Sequence, residues 1–127
     1  MAKIKSFEEL LVWQDARKLT ADIYKITRNF PTIENYSLSQ QIRRAAVSVM
    51  SNIAEGFERS TDKDYANFLS MARGSVAEIQ NDLYIALDLK YIDKVDFNNL
   101  YSFTKKILKQ LSGFIHYLKN NDFQLKS

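Results

Sequence analysis

Apolar residues return along most of this chain at alternating steps of three and four, the spacing that gathers them on one side of an α-helix. The first run, Val12, Ala16, Leu19, Ile23, Ile26 and Phe30, predicts a helix over about residues 7–28. Ser6 with Glu9 three residues later is a capping-box pattern for its start. Pro31 ends it, because the residue before a proline is driven out of the helical region. Leu38, Ile42, Ala45, Val49 and Ile53, flanked by Ala46, Met50 and Phe57, predict a second helix over about 38–59, entered after Ser37. A break at Ser60, Thr61 and Asp62 precedes the longest helix, about 62–90, striped by Tyr65, Phe68, Ala72, Val76, Ile79, Leu83 and Ala86. A fourth, about 96–119, carries Leu100, Ile107, Leu111, Phe114 and Leu118 beside Tyr101, Leu108 and Ile115, with Asp96 as its N-cap.

The connections between these segments are short and no segment alternates in the manner of a strand. Successive helices are therefore expected to run antiparallel, as an all-α, up-down-up-down four-helix bundle that occupies residues 1–127 as one domain. Helices of roughly 22 residues would be about 33 Å long. A chain of 127 residues buries roughly two thirds of its unfolded surface, enough for a core without metal or disulfide.

Very little catalytic chemistry fits these residues. Cysteine is absent, which removes disulfides, thiolate metal sites and thiol nucleophiles and is compatible with a reducing compartment. Di-metal enzymes built in helical bundles need paired Glu-x-x-His motifs, and the single histidine, His116, has Gly113 three residues before it. No arginine precedes His116 at the spacing of helical ribonucleases, and three glycines, at 56, 74 and 113, form no phosphate-cradling loop. His116 reads as a surface residue. No enzyme activity, metal, cofactor or small-molecule substrate is expected. The opening MAKIKSFEELLVW lacks the apolar stretch of a signal peptide, and no run approaches the ~20 apolar residues of a membrane span, so a cytoplasmic protein without a membrane partner is expected.

The net charge is only +3, but it is unevenly spread. Residues 61–100 carry four basic and seven acidic groups, residues 101–127 five and one. On helix 4, Lys105, Lys109, His116 and Lys119 share an outer stripe with Ser112, and helix 1 offers Arg17, Lys18, Lys25 and Arg28. First and last helices are neighbours in an up-down bundle, so the two sets are expected to merge into one basic face able to hold RNA or DNA. A merely solvated surface is the plainer reading. Seven tyrosines and Trp13 point to another class of function, a protein-interaction or scaffolding module without nucleic acid, in which Trp13, Tyr24, Phe57 and Tyr84 fill a subunit interface.

The segment QIRRAAVSVMSNIAEGFER, Gln41 to Arg59, holds a second pattern. Arg44, Ser48, Asn52, Glu55 and Arg59 form a polar row beside its apolar stripe, and helix 3 answers with Arg73, Ser75 and Glu78. These predict a hydrogen-bonded layer that sets the register of helices 2 and 3, with Asn52 and Glu55 shielded and Glu55 or Glu78 paired to an arginine such as Arg59 or Arg73. The alternative is a ligand pocket, for which no phosphate cradle or nucleophile is present. Gly56 and Gly74, each costing ~1 kcal/mol in a helix, predict close helix approach.

The chain also resembles a known family. Phe7, Leu10, Val12-Trp13-Gln14, Ala16, Phe30-Pro31, Glu34, Tyr36, Leu38, Gln41-Ile42-Arg43-Arg44-Ala45, Ser48, Asn52-Ile53-Ala54-Glu55-Gly56, Arg59, Phe68, Ala72, Gly74-Ser75 and Glu78 look like the 23S rRNA intervening-sequence protein family of bacterial four-helix bundles, some labelled ribosomal proteins. The motifs cover about residues 7–90. The related accessory variability determinant of diversity-generating retroelements forms a basic pentameric barrel that binds nucleic acid. The resemblance thus implies a homo-oligomer, a pentamer first, and a nucleic-acid partner, and it transfers no catalytic residue.

Overall fold

The computed structural model describes the backbone of residues 3–126 and the side chains of residues 3–120. Four helices account for the fold: α1 (Leu11–Thr27), α2 (Leu38–Phe57), α3 (Asp62–Asp88) and α4 (Lys94–Lys126). Two single 3-10 turns, Phe7–Glu9 and Thr32–Glu34, lie in the connections, and the described residues contain no strand.

Cross-helix pairs fix the directions. Thr20 and Thr27 of α1 meet Ala46 and Arg43 of α2. Along α2 and α3, Gln41 meets Asp82, Ser48 meets Ser75, and Gly56 lies against Tyr65 and Phe68. Gln80 and Arg73 of α3 reach Thr104 and Ser112 of α4, and Asp15 and Lys18 of α1 meet Gln110 and Phe103 of α4. In every pair one number rises as the other falls, so all four neighbouring helix pairs are antiparallel and the bundle closes α1 against α4.

The apolar stripes form one core. Leu19, Ile23, Ile42, Val49, Ile53, Leu69, Val76, Ile79, Leu83, Ile107 and Leu111 have no exposed surface. Leu69 and Ala66 complete the α3 stripe where Tyr65 is half-buried, and Thr104 fills the α4 stripe between Leu100 and Ile107, its hydroxyl donating 2.6 Å to the Tyr101 carbonyl.

Helix ends differ from expectation where capping decides them. The Glu9 carboxylate accepts from the amides of Lys5 (2.7 Å) and Ser6 (3.0 Å), which closes a 3-10 turn; Leu10 is then extended, and α1 starts at Leu11. Ser37 makes no side-chain cap; Glu34 accepts instead from the Leu38 amide (3.3 Å) and from the Tyr91 hydroxyl (2.8 Å), tying the entry of α2 to the α3–α4 turn. Thr61 caps α3 through the Asp64 amide (3.1 Å). Asp93, not Asp96, caps α4, its carboxylate accepting from the Asp96 amide (2.7 Å). Lys90 ends α3 in the left-handed region (φ 62°), the amides of Lys90 and Tyr91 closing on the carbonyls of Leu87 and Ala86 in a Schellman arrangement.

Candidate functional site

Ser48 and Ser75 share a hydroxyl–hydroxyl hydrogen bond of 2.8 Å across α2 and α3, and the Asn52 amide donates to the Ser48 carbonyl (2.9 Å) and hydroxyl (3.1 Å). This is the hydrogen-bonded part of the expected polar layer. The rest of the row departs from it: Arg44, Glu55, Arg59, Arg73 and Glu78 are exposed, and among the described residues neither glutamate lies within ion-pair distance of an arginine. The geometry of the row explains this. Each step of four advances it about 40° around the helix, turning Ser48 and Asn52 toward α3, and the step of three to Glu55 swings it back about 60° into solvent. Arg59 lies over the Phe68 ring, 4.3 Å from its centre.

One polar pair in this seam, with a buried carboxylate, escaped the sequence reading. Asp82 is fully buried on α3 and accepts 2.8 Å from the Gln41 side chain, while its second oxygen has no partner. Burial pushes its carboxyl above the ordinary value; Glu78 adds to the rise, and hydrogen bonds from Asn81 and Gln41 oppose it. The available signal was its position, three after Ile79 and four before Ala86, inside the apolar stripe.

All seven cations assigned to nucleic acid, Arg17, Lys18, Lys25, Arg28, Lys105, Lys109 and Lys119, are exposed. They do not merge into one face. Between α1 and α4 the charges cancel: Lys18 pairs with Asp22 at 3.1 Å and Lys106 with Asp15 at 3.5 Å, and Gln110 also donates to Asp15 at 3.0 Å. The clefts on this seam, about 300 and 330 Å³, are bordered by Asp15, Asp22 and Asp96 as well as by Lys18, Lys25 and Lys106. Arg17 lies 5.9 Å from the Trp13 ring.

The α4 row sits on the opposite flank, beside α3. Arg73 reaches Ser112 (3.4 Å), Lys119 borders a cleft with Lys63 and Asn67, and Tyr101 packs edge-on against Tyr84. Adjacent Lys105 and Lys106 are about 100° apart around the helix and so face different neighbours. From Phe97 to Asn121 the chain has no acid at all. The acids of α3 beside Arg73 turn to α2, Asp82 bonding Gln41 and Glu78 bordering Arg44. Among the described residues, Lys63, Arg73, Lys105, Lys109 and Lys119 have no ion-pair partner. His116 is exposed and bonds Asn120 at 2.9 Å.

Of the four aromatic residues considered for an interface, Trp13 and Phe57 are half-buried against the core, stacked edge-on with Phe7 and Tyr65. Tyr24 and Tyr84 remain exposed. No group of three metal-ligating side chains occurs among the described residues, and no described helix is long and apolar enough to cross a membrane.

A family model described as 23S rRNA-intervening sequence protein matches residues 8–113, a span that includes Asn52-Ile53-Ala54-Glu55-Gly56. The chain belongs to that family. A crystal structure of a protein of unknown function from the S23 ribosomal protein family, from Bacteroides thetaiotaomicron, superposes with a TM-score of 0.75 at 23% identity, covering 83% of this chain and 98% of that one. At that identity the likeness extends to the bundle fold. No curated protein is significantly similar to the chain. Within the family's matched span lie the Ser48–Ser75 layer, the Gln41–Asp82 pair and most of the cationic row, with Lys119 just beyond it.

Proposed function

We propose that this member of the 23S rRNA-intervening sequence family is a non-enzymatic, cytoplasmic, oligomeric nucleic-acid-binding accessory protein. It engages phosphates through the α3/α4 flank, with Lys105, Lys109 and Lys119 of α4 joined by Arg73 and Lys63 of α3. The observation that carries this reading is the 25-residue acid-free stretch of α4, whose outward lysines beside α3 have no described carboxylate partner. Cations free of internal partners release the counterions of any phosphate they neutralise, whereas Lys18 and Lys106 would first have to leave their aspartates. Arg17, Lys25 and Arg28 also have no described ion-pair partner; they lie on α1 or at its end, away from this flank, and contribute secondarily.

Gel-shift titration over a range of salt tests the reading. The wild-type protein is expected to bind DNA or RNA with affinity that falls by roughly 0.7 to 0.9 logarithmic units per contact per decade of salt. The triple variant Arg73→Glu, Lys105→Glu, Lys109→Glu is expected to abolish binding, and Lys18→Glu with Lys106→Glu to weaken it only slightly. Equal losses from both variants would mean diffuse attraction without a site. The second reading, a protein-interaction module with no nucleic-acid partner, rests on the exposed Tyr24, Tyr36 and Val47 and is the one left standing if no binding occurs even at low salt.

A further inference from the structure

Tyr84 occupies one end of the cationic flank. Its ring is held 4.9 Å from Phe97 and 5.5 Å from Tyr101, themselves stacked at 5.3 Å, yet half of the residue remains open to solvent (49%). Lys105, one helical turn beyond Tyr101, is within electrostatic reach of the Tyr84 hydroxyl. Toward the other end of the seam come Arg73 with Ser112, and then Lys63 with Lys119. Tyr84 to Lys63 is 21 residues of α3, roughly 32 Å along the helix. Asp88, one turn beyond Tyr84, closes the row.

A row of cations with no described ion-pair partner, ending in a half-open aromatic ring, offers a single strand one contact more than a duplex can use. Stacking requires an unpaired base whose face is free, and every base offers such a face, so this contact adds affinity without sequence preference. A duplex keeps its bases stacked on one another and offers the flank only phosphates. The ring is already immobilised by Phe97 and Tyr101, so capturing a base costs it little rotamer freedom.

We infer that the α3/α4 flank selects single-stranded over duplex nucleic acid, its phosphates running along Lys105, Lys109, Arg73 and Lys119 while one base stacks on the exposed part of the Tyr84 ring. This rests on the nucleic-acid reading proposed above. Phosphates and base faces are common to RNA and DNA, so the sugar is immaterial and the pairing state decides.

The experiment is fluorescence anisotropy at low salt with one labelled 12-nucleotide sequence in three forms: single-stranded DNA, single-stranded RNA, and the DNA annealed to its complement. The wild-type protein is expected to bind both single strands alike and the duplex at least about fivefold more weakly. Tyr84→Ala is expected to weaken single-strand binding about fivefold or more while leaving duplex binding and the salt slope unchanged, and Tyr84→Phe to retain wild-type behaviour. Tyr84→Leu keeps an apolar plug over Phe97 without a π face, so it must fail as Tyr84→Ala does even if the alanine variant folds poorly. Duplex binding as tight as single-strand binding overturns the inference and leaves the cationic site standing, as does wild-type affinity in Tyr84→Leu. Absence of binding to all three probes overturns the cationic site as well.

Discussion

Gly56 shows what one atom does in this bundle. A Cβ built there would come within 2.9 Å of the Phe68 Cβ and 3.0 Å of the Tyr65 ring, closer than real side chains pack. Removing the glycine gains helix propensity of ~1 kcal/mol, but overpacking an unyielding contact costs about 1–3 kcal/mol. Gly56→Ala is therefore expected to lose up to about 2 kcal/mol and several degrees of melting temperature. Gly74→Ala and Gly113→Ala, with nothing within 4 Å of the added atom, are expected to gain up to ~1 kcal/mol. Thermal melts of the three variants check this, and a Gly56→Ala melt at or above wild type would show that α2 and α3 do not need to meet so closely. Both Gly56 and Gly74 suggested close approach from sequence, and only Gly56 makes it: the two glycines are chemically alike, and what separates them is which side of the helix meets a neighbour, a tertiary fact.

Between elements, the seam of α2 and α3 was legible in outline and not in its pairing. The apolar stripes named most of the core because their period is a local property of the chain; they erred at the start of α3, where Ala66 and Leu69 are buried and Tyr65 and Phe68 only half-buried. Polar partners depend on register, and an error of one residue turns a side chain about 100°; hence Ser48 and Asn52 were placed rightly, Glu55 was not, and Asp82 went unnoticed. The same limit applies at helix ends, where Asp93 rather than Asp96 caps α4. Asp82 carries the testable consequence. Its folded-state pKa lies above the unfolded value of about 3.9, so the folded chain holds the proton more tightly than the unfolded one. Its favourable contribution is then fully present below about pH 4 and is lost as pH rises through the folded-state value. Asp82→Asn keeps a carbonyl oxygen for Gln41 and carries no charge at any pH. The variant is expected to be more stable than wild type at pH 7, with the difference shrinking toward pH 4, as followed by urea unfolding at a series of pH values. Parallel curves at all pH values would mean that the buried carboxyl is not strained by its charge.

For the whole molecule, the sequence determined that first and last helices are neighbours, but it did not show which flank of α4 faces α1. That single rotation decides whether Lys105 or Lys106 joins the charges of α1, and it moves the candidate interface from the α1/α4 seam to the α3/α4 seam. It also leaves the opposite side of the bundle, around α1 and α2, free for another task. There Tyr24 and Val47 share a shallow cleft with Arg43 and Arg44, next to the connection bearing Tyr36, which is 91% exposed. Aromatic residues and arginine beside open apolar surface are the composition of a subunit interface. An oligomer joined there would keep its α3/α4 flanks unblocked and repeat a modest cationic row around a symmetry axis, raising avidity without any new type of contact. Native mass spectrometry is expected to show self-association of the 14.8 kDa chain, with a pentamer as the main species. Val47→Glu, exposed and therefore harmless to the core, is expected to return it to monomer with unchanged helicity by circular dichroism. That monomer should keep the salt slope per subunit while binding a long single strand at least tenfold more weakly. A monomeric wild-type chain, or a Val47→Glu variant that assembles normally, would move the interface elsewhere or remove it, and the cationic row would then have to act alone.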